Sequence, residues 1–322
     1  MAWTSSRTVP AWITPGPAPR RDQAEKIISV VAAVALAAAT APLLMSTPHD
    51  AATSGRQAGN PSATDVAAPE TIVAGYGGVT HTQASDVHFT KSGVTDLTAH
   101  RVEWIGRPFK SPIYYGVRVM HGPAVGSFGG MVDFTHAKAS ARREQTVTFS
   151  GTRNGKPADG SKLSDATFRH LEFSHGHNML TLNGLFRLHR LLPMFRPYVG
   201  AGAGIALPHT EVQFRDEPRR TYEYQITGVV GQAVAGIEIR LPHSSVLLEY
   251  KFSLAPYWVP LSERDGRKGN AFIDYWNQIT SWLSGKEPPG GNLTTTLATH
   301  HAIVAVGYRH VGAPAPTPAA PR

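Results

Sequence analysis

Read at a period of two, Leu171–Leu188 (LEFSHGHNMLTLNGLFRL) separates into two faces. Leu180, Leu182, Gly184, Phe186 and Leu188 fall on one, and His175, His177, Met179, Thr181, Asn183, Leu185 and Arg187 on the other. Side chains on a strand alternate between faces, so one side is apolar and the other mostly polar. The run is far longer than the usual strand of about five or six residues. A long strand with an apolar and a polar face suits a barrel that crosses a bilayer, lipid outside and a polar lumen within.

The same alternation recurs. It predicts eight strands: Glu70–His81, Pro112–His121, Gly126–Lys138, Arg169–Leu188, Phe195–Val212, Thr221–Leu241, Ser244–Leu254 and Asn292–His310. Connections after the second, fourth and sixth are short, and those after the first, third and seventh are long. Tight turns at one rim and long loops at the other mark outer-membrane barrels. The expected fold is all-β: an eight-stranded antiparallel transmembrane barrel with both termini periplasmic. A lipocalin-like barrel would need an apolar interior, whereas Arg118, Asp133, Arg187, Glu238, Arg240, Glu249 and Lys251 all fall on the inner face.

The flanks complete the picture. Ile27–Met45 is a long apolar run preceded by Arg20, Arg21 and Lys26. Residues 1–47 read as a secretory signal peptide or a retained N-terminal membrane segment. Residues 48–69 read as a disordered linker, 70–311 as the barrel and 312–322 as a disordered tail. The chain has 322 residues, a net charge of +8 and no cysteine. Without cysteine there is no disulfide, thiolate nucleophile or cysteine-ligated cluster. The positive balance suits phosphorylated lipid. Nucleic acid is not expected, because no zinc-finger spacing, basic helix or aromatic-basic RNA motif is present.

Candidate chemistry gathers at the outer rim. Of fifteen histidines, ten fall at the predicted outer strand ends or in the first outer loop. His175, His177 and His301 share inward parity, which makes them candidate catalytic residues and candidate ligands for a divalent metal ion. Asp133 is a candidate catalytic carboxylate on the same inner face. The simpler account of Asp133, with Arg118, Glu249 and Lys251, is ion pairing that fills the lumen. In the first outer loop Trp104, Arg107 and Lys110 are candidate substrate contacts, cations for phosphate and a ring for a sugar face. An interfacial aromatic girdle accounts for them equally well. In the last outer loop Phe272, Tyr275, Trp276, Ile279 and Leu283 have helical spacing, which predicts an amphipathic helix at the leaflet surface or a cap over a groove.

Taken together, DVHFTKSGVTDLTAHRVEWIGRPFKSPIYYGVR, VDFTHAK, LEFSHGHNMLTLNGLFR, RPYVGAGAGIALPHTEV, TYEYQITG and VLLEYKFS resemble the small outer-membrane lipid A oxidases of rhizobial-type bacteria, over Thr71–Arg309. The resemblance implies oxidation of the proximal glucosamine of lipid A to 2-aminogluconate, with O2 as acceptor and peroxide released. It implies lipopolysaccharide as partner, outer-membrane lipids as surroundings and a bacterial outer-membrane location; a monomer is expected. No strand-turn-helix glycine motif is present, so no nucleotide cofactor is expected. A rim-bound metal ion that activates oxygen is the remaining simple source of redox chemistry. Two other classes compete. One is a non-enzymatic structural or adhesion barrel. The other is a lipid A deacylase, which needs a Ser–His pair; Ser174 and His175 are adjacent and by parity face opposite ways, which argues against it.

Overall fold

The computed structural model describes residues 68–123, 127–158, 161–162, 167–188, 194–266 and 271–313. The expected signal peptide or N-terminal membrane segment at 1–47, most of the expected linker 48–69 and nearly all of the expected tail 312–322 lie outside them.

The described chain is all-β apart from one helix of 14 residues. Eight long strands follow in order: β1 Pro69–Thr82, β2 Tyr115–Pro123, β3 Phe128–Ala141, β4 Phe168–Arg187, β5 Phe195–Ala206, β6 Gly228–Arg240, β7 Ser244–Pro260 and β8 Asn292–Val311. Each pairs antiparallel with the next, and β8 pairs with β1 from Glu70↔Val311 to Thr82↔Thr299. The pairings thus return to the first strand. Two predicted strands are shorter than expected: Phe195–Val212 breaks after Ala206, and Thr221–Leu241 breaks between Tyr224 and Gly228. Their detached outer parts, His209–Phe214 and Thr221–Tyr224, pair with each other beside β4.

The alternation sorts side chains as the sequence requires. Val117, Leu182, Phe186, Val199, Ile237, Leu248, Val304 and Val306 point outward and are exposed. Inside, the middle of the ring is filled by charge. Arg118 grips Glu249 with two guanidinium hydrogen bonds of 2.7 and 3.0 Å and donates a third to Asp133 at 3.2 Å. Lys251 donates to the other Asp133 oxygen at 3.1 Å, to Thr135 at 2.6 Å and to the Tyr76 hydroxyl at 3.0 Å. Tyr198 donates to Glu249 at 2.7 Å. All four charged side chains are fully buried. Two positive and two negative groups balance, so none is left as a lone charge in a dry interior. Toward the end where β1 begins, Glu70 sits among Arg187, Arg240 and Arg309.

Toward the other end the interior turns apolar. Phe89, Trp104, Phe168, Phe173, Phe214, Tyr257, Leu293 and Leu297 belong to one core cluster. Short strands Ser85–Lys91, Thr95–Val102 and Phe149–Arg153 extend the sheet from β8 and supply part of it. The lumen is therefore capped by a hydrophobic core beyond its charged middle, at the end where inward parity had placed the histidines.

Candidate functional site

The bulge in β4 decides where the histidines go. Between Phe173 and His177 the strand advances four residues while β3 advances two, from Ala139 to Ala137. Gly176 takes up the excess at φ +131°, where a Cβ would lie 2.1 Å from the Asn178 side chain. Such a bulge re-aims the neighbouring side chain. In an uninterrupted strand His175 would face inward with Phe173 and His177. Instead His175 is exposed on the outer wall while His177 stays fully buried inside.

The expected inward trio of His175, His177 and His301 is therefore not assembled. His177 Nδ1 meets the Tyr257 hydroxyl beneath the apolar cap. Both ring nitrogens of His301 are engaged, by Tyr114 at 3.1 Å and Ser253 at 3.0 Å. Asp133 is committed through both oxygens to Arg118, Lys251 and Gln232. These inner groups hold the lumen together and have no open face toward a substrate. Trp104 is also withdrawn: it is buried in the apolar cap, its indole donating to Ser85 at 2.9 Å. Arg107 and Lys110 stay on the surface, joined by a third cation the sequence reading did not single out. Lys138 donates to the Lys110 and Ser111 carbonyls at 3.0 and 2.7 Å, and Arg107, Lys110 and Glu172 are the charges acting on it.

A polar row crosses the outer wall from β3 to the Thr221–Tyr224 strand. His136 pairs with Asn178 at 2.8 Å and stacks on Tyr115 with centroids 4.8 Å apart. His175 lies 3.1 Å from the Ser174 hydroxyl and 3.4 Å from the Tyr222 hydroxyl. Its ring is 4.8 Å from that of His209, which in turn contacts Tyr222 and Tyr224 at 4.4 and 4.7 Å. Arg220 lies over the Tyr222 ring at 4.1 Å and donates to Glu211 at 2.8 Å. The row begins where the apolar wall ends: His136 and Asn178 are paired, and two positions along lie their apolar neighbours Phe134 and Leu180. The Ser174–His175 contact also corrects the parity argument against a Ser–His pair, since the bulge brings the two side chains together.

Burial sets the electrostatics of the row. Burial, then His175, then Arg220, all disfavour a charge on His209 and lower its pKa to about 4. Burial raises the Tyr222 and Tyr224 phenols, so both remain protonated donors. For His209 the unfolded chain takes up a proton near pH 6.5 and the folded chain only near pH 4. The unfolded state thus gains protons first as pH falls, and folding stability must drop across that window. Replacing His209 by Gln is expected to flatten the pH 6.5 to 4 decline by about 1–3 kcal/mol, read as urea midpoints at each pH.

A metal fits one place among the described residues better than the expected trio. Ligand atoms of His170, Glu172 and Glu211 lie within 4.8 Å of one another on the outer wall, just beyond His175. His170 Nδ1 is 3.3 Å from Glu211, and Ser140 orients Glu172 by a 2.7 Å hydrogen bond. One imidazole and two carboxylates form an acceptable donor set for a divalent transition metal. Arg220 occupies one Glu211 oxygen and would have to share it. HLE at 170–172 carries His170 and Glu172, HTEV carries His209 and Glu211, and TYEY carries the tyrosines, each pair at a period of two, which was a readable signal. Their meeting across strands was not, because it depends on where β5 and β6 break.

No family model matches the chain, and no curated protein matches it either. Among solved structures it is similar to Neisserial surface protein A, at 7% identity over 74% of this chain and 96% of that one, with a TM-score of 0.32. It is likewise similar to the outer membrane protease OmpT of Escherichia coli, at 9% identity over 78% of this chain and 99% of that one, TM-score 0.32. Neither likeness bears on the site.

Proposed function

We propose that the chain is an eight-stranded barrel of the bacterial outer membrane that oxidises the sugar head of lipid A in the outer leaflet. The observation that carries this reading is the outer-wall row of His136, Asn178, His175, His209 and Tyr222, starting where outward Phe134 and Leu180 leave off. A lipid beside the wall would present its sugar to that row without leaving the leaflet. Buried Lys138 lies beside His136, and Arg107 and Lys110, which neighbour Lys138, suit a phosphate. Both ends of the sheet lie together, at the Glu70↔Val311 pair, which is compatible with periplasmic termini and the row outside.

The reaction takes the hemiacetal of the proximal glucosamine to a lactone, which water opens to 2-aminogluconate. The C–H and O–H hydrogens leave with two electrons, and O2 takes both to become hydrogen peroxide. In this scheme His175, exposed and steered by Ser174 and Tyr222, accepts the hydroxyl proton. Neutral His209 packs against it and adds no competing positive charge. Protonated Tyr222 donates a hydrogen bond to the sugar. His170, Glu172 and Glu211 would hold a divalent metal ion, which when bound supplies the redox chemistry that side chains lack. The substrate lies in the membrane beside a monomeric barrel.

Mass spectrometry of lipid A from cells with and without the protein tests the reading. The expected result is a species heavier by one oxygen atom that disappears on chelation and returns with added metal. An unchanged spectrum sinks the enzyme and favours a structural barrel. Loss of an acyl chain would instead assign hydrolysis to the Ser174–His175 pair.

A further inference from the structure

The helix α1, Ala271–Ser284, is mounted the reverse of an ordinary surface helix. Its two buried side chains, Asp274 and Gln278, are polar and face the protein. Asp274 accepts the Tyr224 amide at 3.0 Å. Gln278 accepts the Ile226 amide at 2.7 Å and donates to the Ile226 carbonyl at 2.9 Å, completing a backbone pair as a neighbouring strand would. The opposite face carries Ile273, Trp276 and Leu283, which expose 57, 66 and 69% of their surface. These positions recur at helical spacing with Thr280 among them, so they form one stripe. Asp274 is the single charged residue in the helix, and it points inward.

The docking points fix the direction of the helix. Tyr275 contacts Tyr224 with centroids 6.4 Å apart, and Trp282 contacts Trp258 of β7 at 6.2 Å. The helix follows the Tyr224–Thr227 segment, since Asp274 and Gln278, four residues apart, bond Tyr224 and Ile226, two residues apart, and its last turn reaches β7 at Trp258. It lies next to the apolar wall: Ile226 is two residues from the start of β6, whose Val229 points outward and is 48% exposed.

We propose that the Ile273, Trp276 and Leu283 stripe inserts into the outer leaflet of the membrane, making α1 an interfacial helix pinned to the barrel by Asp274 and Gln278. The occupant is lipid rather than protein because the stripe is uncharged, continues the outward apolar wall and carries a tryptophan suited to the headgroup boundary. The side facing the protein is already docked through Asp274, Gln278, Tyr275 and Trp282, which leaves the stripe free for lipid. The helix also borders the histidine row, since Tyr224 lies between Tyr275 and His209. Insertion would hold lipid against the site. The inference rests on the membrane-spanning reading of the ring.

The chain has no cysteine, so single cysteines can be placed without background. Leu182→Cys, Trp276→Cys, Leu283→Cys and Lys156→Cys variants, each carrying an environment-sensitive fluorophore, are folded into phosphatidylcholine–phosphatidylglycerol vesicles containing nitroxide-labelled acyl chains. Blue-shifted, quenched emission is expected at 182, 276 and 283, and not at 156. Quenching at 182 with water-like emission at 276 and 283 overturns the insertion of α1 and leaves the membrane reading intact. No quenching at 182 overturns both. Heat-modifiable gel mobility, identical for all four variants, shows that each is folded.

Discussion

Arg118→Met should be among the most destabilising single changes in the ring. The guanidinium is fully buried and serves two carboxylates, Glu249 through both of its oxygens and Asp133 through one. Its loss leaves Glu249 with only the Tyr198 hydroxyl and no counter-charge. Breaking a buried pair from one side costs about 3–5 kcal/mol, because the remaining charge is stranded in a dry interior. Asp133 suffers less, since Lys251 and Gln232 still reach it. The double change Arg118→Met with Glu249→Leu should therefore recover much of the loss. Urea midpoints in vesicles give both numbers. A single variant as stable as the parent would show that the cluster is hydrated and that the lumen is not plugged here.

That cluster illustrates what a linear pattern carries and what it omits. Period-two alternation places Arg118, Asp133, Glu249 and Lys251 on the inner face, and opposite charges facing each other in a narrow ring have few other partners. Strand positions follow from the same pattern because one face must be apolar along the whole length of each strand. The pattern fails where the backbone leaves it. An isolated glycine in a strand signals a bulge, and Gly176 in HGH is that signal. Counting parity straight through it put His175 and His177 on one face and kept Ser174 from His175. Trp104 was misplaced for a different reason. The sheet does not stop at the rim; short strands from the loops after β1 and β3 prolong it around a second, apolar core. Nothing in the spacing of VEWIGRPFK tells an interfacial tryptophan from one that roofs a lumen. Helical spacing found α1, but an apolar stripe does not say which side faces the protein. Asp274 and Gln278 settle that only once Tyr224 and Ile226 are seen to need partners.

In the proposed oxidase, His175→Gln is expected to remove most of the oxidation of lipid A while leaving the ring folded. The side chain is exposed, its contacts to Ser174 and Tyr222 are peripheral, and no core packing depends on it. Loss of a general base reduces turnover by about 10²–10⁴-fold. His301→Gln provides the contrast. His301 is 1% exposed and joins Tyr114 to Ser253 inside the ring. Its replacement should lower the urea midpoint and leave peroxide release per folded molecule within a few-fold of the parent. Ser174→Ala should also stay near the parent, because in oxidation the hydroxyl only steers the imidazole. Peroxide release and lipid mass measured on the same folded samples separate three arrangements. Loss at 175 alone assigns the chemistry to the outer wall. Loss at 301 with activity kept at 175 returns it to the lumen and removes the outer-wall site. Equal loss at 174 and 175, with an acyl chain missing from the product, converts the pair into a nucleophile and its base, and the oxidase reading falls with it.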